Sequence, residues 1–238
     1  MLLPYDGMIS CGDFACHNAA SNISMDKKEY SERFDRLYSN LLGACDNFYS
    51  WKGLQNKDYQ PTYNRAKYFW SAVLVALQNE WLIGLAKCFE ESRYSASDKV
   101  ISVYALLRHH PDADRKKETE SLVKKHHPVI ASISRLRDHQ LAHLNAEHLA
   151  APSVLLQKFP INYGEVEDLI NDFPRLFTLL NPEPGNWYVL DNYTKEPERE
   201  ARYTIEKIRF YDQKEKEHVD RYFAGDVDNP FFPPQDSA

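Results

Sequence analysis

The segment EYSERFDRLYSNLLGACDNFY, residues 29–49, decides the fold. Its apolar residues Tyr30, Phe34, Leu37, Tyr38, Leu41, Leu42, Cys45, Phe48 and Tyr49 recur at intervals of three and four. A helix turns once every 3.6 residues, so these side chains fall on one face of one long α-helix. A half-buried strand would alternate every second residue instead. Ser24 or Asp26 can cap the start of this helix, and Lys52-Gly53 marks its end.

The same period continues downstream. Pro61 opens a second helix carrying Tyr68, Phe69, Ala72, Val73, Ala76, Leu77, Trp81, Leu85, Cys88 and Phe89. It is apolar over more than half its girth, which predicts a central place among the helices. A third helix from Ser97 holds Val100, Ile101, Val103, Tyr104, Leu106 and Leu107, and stops at His109-His110-Pro111. A short amphipathic stretch, Asp112 to Lys125, ends at His126-His127-Pro128. The next helix runs through Ile130, Ile133, Leu136, Leu141 and Leu144 to about His148. After Pro152 and Pro160 comes a helix with Val166, Leu169, Ile170, Phe173, Leu176, Phe177 and Leu180, then a charged helix over about 197–211.

The expected fold class is therefore all-α: one antiparallel helical bundle with an extra C-terminal segment. Its expected divisions are a loose leader over 1–23, the bundle over 24–182, and a C-terminal extension over 183–238 with a charged helix and a Pro-rich tail. With 43% hydrophobic residues the 238-residue chain has material for one sizeable core. Only 8 glycines interrupt it, which favours long helices over many short strands.

Composition also narrows the function. The longest apolar stretch, Ser71 to Ala86, is broken by Gln78, Asn79 and Glu80, short of the ~18 residues a membrane span needs. The N-terminus lacks a basic region and carries Asp6, unlike a secretory signal. Cys11, Cys16, Cys45 and Cys88 form no C-x-x-C pair, and a reduced, cytoplasmic protein without cofactor is the expectation. A net charge of −6 argues against coating nucleic acid by bulk electrostatics, DNA above all. The charge is uneven, however. Between Arg108 and His143 eight Lys and Arg face five acids, a net of +3 that leaves −9 for the rest. Seven of the nine histidines lie in or just beyond this window, so an anion-handling site belongs there.

Within that window stands RLRDHQLAHLN, residues 135–145, with Arg137, Asp138 directly after it, and His143. Histidine has the side chain whose ordinary pKa suits both taking and giving a proton near neutrality. Arginine offers a forked cation that matches a phosphate. The pattern resembles the signature of HEPN domains: an arginine, commonly a polar residue, then four to six residues and a histidine. The helix from Tyr68-Phe-Trp to Phe89-Glu-Glu resembles the second helix of the abortive-infection, AbiU-like branch. The resemblance covers roughly Met25 to Leu180.

It implies a metal-independent endoribonuclease in a toxin or phage-defence role. His143 would be acid and base, Arg137 the phosphate clamp, and Asp138 the residue that orients one of them. Lys124, Lys125 and Arg135 could guide an RNA backbone, although a plain solvated face suits the lysines as well. The resemblance also implies RNA as substrate, a homodimer, and an antitoxin as a further partner. Where some relatives carry a modifiable Tyr two residues after the histidine, this chain has Asn145. Six positions at ~100° set Arg137 and His143 about 120° apart around a helix and about 9 Å along it. One helix does not wrap both around a phosphate; two copies across a twofold axis can.

Three other readings compete. Arg137 and Asp138 can be a solvent-facing ion pair with His143 an ordinary helix histidine. His139, His143 and Glu147, spaced i, i+4, i+8, can present one face of metal ligands, although no second helix offers a matching set. The whole chain can also be a catalytically inert HEPN-like binding or scaffold module.

Overall fold

The computed structural model describes residues 25–91, 100–138, 160–183 and 195–225. Among these residues every regular element is helical: α1 (Lys27–Gly53), a single 3-10 turn (Lys57–Tyr59), α2 (Gln60–Arg65), α3 (Lys67–Cys88), α4 (Val103–Arg108) and α5 (Ala113–Lys125). They continue as α6 (His127–Arg137), α7 (Tyr163–Asn171), α8 (Phe173–Leu180) and α9 (Glu196–Phe223). The fold is the all-α bundle expected from the sequence. Ser97, His139, His143, Glu147 and the leader lie outside the described residues.

α1 begins where Asp26 caps it, accepting from the Glu29 amide at 2.7 Å. It buries Tyr30, Phe34, Leu37, Leu41, Cys45, Phe48 and Tyr49, the residues of the apolar stripe, while Tyr38 and Leu42 pack half-buried against the same core. α3 lies along it. They approach so closely that a Cβ built on Gly84 would stand 2.8 Å from the Ala44 Cβ, a contact only glycine permits. Aromatic rings fill the seam: Phe48 meets Trp81 edge-on at 5.4 Å, and Trp51 and Tyr163 of α7 close around the same indole.

The second expected helix is two. Ala66 leaves helical space at φ −132°, ψ 54°, separating α2 from α3. Nor is α3 central along its whole length. Its C-terminal half buries Trp81, Leu82, Leu85, Ala86 and Cys88, but Tyr68 is 91% exposed and Phe69 61%. The reason is geometric. Residues 48–51 of α1 stand level with Trp81, and α1 stops at Gly53, so the first turns of α3 run past its end. Among the described residues they pack into a small second cluster, where Trp70 of α3 joins Leu54, Tyr59 and Ile205. By composition α3 would pass for a membrane span, with a mean hydropathy of 1.3 over its best window. Its C-terminal half is buried in the bundle core.

α7 and α8 form one expected helix broken at Asp172, since Pro174 supplies no amide and restarts the helix. The last carbonyls of α8 are taken by side chains. Tyr30 donates to Leu180 O at 3.0 Å, His110 Nε2 lies 2.9 Å from Leu179 O, and Arg115 reaches Thr178 O and Asn181 O. His126, buried, meets Asp172 Oδ2 at 2.7 Å, and Lys125 meets the same oxygen at 2.6 Å. Burial would raise the Asp172 carboxyl, but these two hydrogen bonds outweigh it and hold it below its ordinary value. Both His-His-Pro triplets thus carry a structural histidine.

α9 is longer than the charged helix expected over 197–211. It packs on α1, where a Cβ on Gly53 would stand 2.6 Å from the Glu198 carbonyl, and Arg65 ties it to α2 through Asp212 at 2.9 Å.

Candidate active site around Arg137

α6 sets the position of Arg137. Pro128 stands at its first turn, and Val129, Ile130, Ile133 and Leu136 are buried against the core. Arg137 is thereby presented at the last turn, next to the C-terminal end of α3. Its side chain is 21% exposed. Asp138 Oδ1 accepts from Nε at 2.9 Å and stands 2.7 Å from NH2 as its ion-pair partner. Glu90, just past the end of α3, places Oε2 3.8 Å from NH1, beyond hydrogen-bond reach.

A guanidinium carries five N–H donors in a plane. Asp138 takes the Nε side, which stops the plane from rotating. On the outer edge, formed by NH1 and NH2, NH1 has the Glu90 carboxylate 3.8 Å away, which attracts it without bonding it. That edge is the one a phosphate grips with two parallel hydrogen bonds. The arrangement is a cation fixed on its Nε side by Asp138, with the Glu90 carboxylate standing near its NH1.

The other residues considered for RNA contact do not gather around it. Arg135 is exposed but two positions back, about 200° around the helix from Arg137. Lys124 and Lys125 close α5 at the opposite end of α6, about 16 Å away along its axis. Lys124 is exposed, and Lys125 holds Asp172. His143, together with the alternative ligands His139 and Glu147, falls outside the described residues. Among the described residues no three of His, Cys, Asp or Glu converge as a metal site. The two described cysteines do not support thiol chemistry, since burial pushes Cys88 up to about 12 and Cys45 higher still. The groove between α1 and α9, lined by Asp46, Glu196 and Glu200, has the wrong sign for a phosphate.

Glu90 is the residue that sequence reasoning did not single out. It stands 47 positions from Arg137, and no periodicity or motif links the two; only the packing of α6 on α3 does.

A family model described as AbiU2, of the HEPN type, matches residues 27–183, more than half of the chain. The matched span contains Arg137 and Asp138 and ends before α9 begins. No curated protein and no solved structure matches the chain.

Proposed function

The chain belongs to the AbiU2 family of HEPN domains, and on that premise we propose that it is a metal-independent endoribonuclease acting as a homodimer in a toxin or phage-defence role. The observation that carries the proposal is the Arg137 guanidinium, its Nε side held by Asp138 and its NH1 without a hydrogen bond to a described residue. In the proposed reaction the ribose 2′-oxygen attacks the adjacent phosphorus, and the P–O5′ bond breaks. His143 of one copy removes the 2′ proton, and the histidine of the other returns a proton to the departing 5′-oxygen. The products are a 2′,3′-cyclic phosphate and a 5′-hydroxyl. Arg137 grips the non-bridging oxygens, where charge accumulates between the two events.

The test is cleavage of labelled single-stranded RNA and tRNA in excess EDTA, beside a His143→Ala control. Cleavage that survives chelation and disappears in the control is the expected result. Cleavage lost on chelation alone would transfer the chemistry to a metal bound by His139, His143 and Glu147.

Glu90 gives a second expected outcome. Because it competes with phosphate for the outer edge of Arg137, Glu90→Gln is expected to lower the KM for RNA several-fold with kcat little changed. A raised KM would mean that Glu90 holds the guanidinium in place rather than occupying its seat.

The inert binding-module reading keeps one observation in its favour: Arg137 is flanked by two carboxylates in a chain of net charge −6. RNA binding without cleavage, unaffected by His143→Ala, would select it.

A further inference from the structure

The first half of α3 carries an apolar face that none of the described residues covers. Tyr68 is 91% exposed, Phe69 61% and Val75 50%, with Ala72 and Ala76 exposed between them. At ~100° per residue Tyr68, Ala72, Val75 and Ala76 fall within about 100° of arc, so they share one side of the helix. No charged residue interrupts the sequence from Tyr68 to Asn79.

We propose that this face is where a second copy of the chain docks, α3 against α3 in the same sense, so that both Arg137 ends lie at one end of the dimer. Three considerations support a second copy. The first is area. Aromatic side chains offer ~150–250 Å² each, so Tyr68, Phe69 and Val75 expose about 400 Å² per copy. That is half of the ~800 Å² per partner in a standard interface, and Ala72, Ala76 and the neighbouring turns extend it. The second is shape. Ala72 and Ala76 stand at the centre with bulkier groups beside them, which lets two helix axes approach closely.

The third is the site itself, and here the inference rests on the ribonuclease reading. A lone Arg137 needs a second copy beside it to complete a shared cleft. An antiparallel seam centred between Ala72 and Ala76 would throw the two Glu90 ends about 50 Å apart, at 1.5 Å per residue. A same-sense seam keeps them at one end, where α6 delivers Arg137 to Glu90.

Analytical ultracentrifugation of the full chain tests the face. The unaltered protein is expected to sediment at twice the 27.8 kDa chain mass at micromolar concentration. The double variant Tyr68→Glu, Val75→Glu is expected at 27.8 kDa, with helical circular dichroism unchanged because both side chains are already exposed. Oxidative cross-linking tests the sense, in a chain whose Cys11 and Cys16 are replaced by Ser. Ala72→Cys is expected to form a covalent dimer, since each position in a same-sense seam meets its own copy. Cross-linking only between Ala72→Cys and Ala76→Cys chains would establish the opposite sense and overturn the proposal. So would an unaltered chain that sediments as a monomer, a double variant that stays dimeric, or a monomer that binds neutral lipid vesicles through this face. None of these readouts uses RNA. A same-sense dimer without cleavage would fell the ribonuclease reading alone, and RNA cleavage by a double variant that stays dimeric would fell the seam alone.

Discussion

Arg137→Ala lowers RNA cleavage by about 10²–10³-fold and leaves the thermal midpoint almost unchanged; this is the expected result, and the two halves have separate causes. Removing one preorganised donor from a developing oxyanion costs a factor of that order in kcat. Arg137 presents two such donors on one edge, with the plane fixed by Asp138 before substrate arrives. Stability behaves differently because the partners of Arg137 are about half exposed and the guanidinium itself is partly in water. Ion pairs in that setting contribute about 0–1 kcal/mol. Arg137→Lys separates charge from geometry: an ammonium keeps the sign but not the fork, and is expected to recover less than a tenth of the lost rate. Both are read from initial rates under EDTA beside a thermal melt. Full activity in Arg137→Ala would move the phosphate site elsewhere. A collapsed melt would make the Arg137–Asp138–Glu90 contacts structural.

What the sequence disclosed about this site follows a physical division. Arg137 and Asp138 are neighbours on one helix, so their pairing is local and a linear motif can carry it. Glu90 reaches them across 47 positions by tertiary packing, which no local pattern encodes. The same division runs through the fold. The stripe from Tyr30 to Tyr49 predicted the buried face of α1 because its opposite face is polar, so period and burial agree. α3 misled because it is apolar nearly all round, and periodicity cannot say which side is covered. Its exposed half depends on where α1 stops, a matter of relative length and alignment. The break at Ala66 was hidden for a related reason, alanine being the strongest helix former. The break before Pro174 had a signal in the proline itself, but the apolar spacing across it stayed helical. α9 was read too short because its last turns are held by exposed pairs such as Lys214–Glu217 rather than by an apolar stripe.

Trp81→Ala is expected to be the most damaging single truncation in the bundle. The indole is fully buried and stands where three helices meet: Phe48 and Trp51 from α1 pack on it, and Tyr163 from α7 closes the third side at 6.4 Å. Truncating a buried tryptophan costs about 3–5 kcal/mol through lost transfer energy and the cavity left behind. At ~2–4 °C per kcal/mol for a chain of this size, the melt should fall by about 6–20 °C. The neighbours cannot collapse into the void, because Gly84 and Ala44 already bring α1 and α3 into contact one turn away. One term runs the other way. Among the described residues the buried Trp81 indole N–H has no acceptor, which costs about 1–3 kcal/mol in the native state. Trp81→Phe discards that unpaired donor while keeping a ring against Phe48, so it should lose well under half of what Trp81→Ala loses. Equal losses would mean that the indole finds an acceptor in solution. A drop of only a degree or two in Trp81→Ala would mean that α1, α3 and α7 do not converge on this residue. Residual RNA cleavage below the lowered midpoint should stay close to that of the unaltered chain, because Trp81 supports the bundle about 13 Å along α3 from the end that receives Arg137.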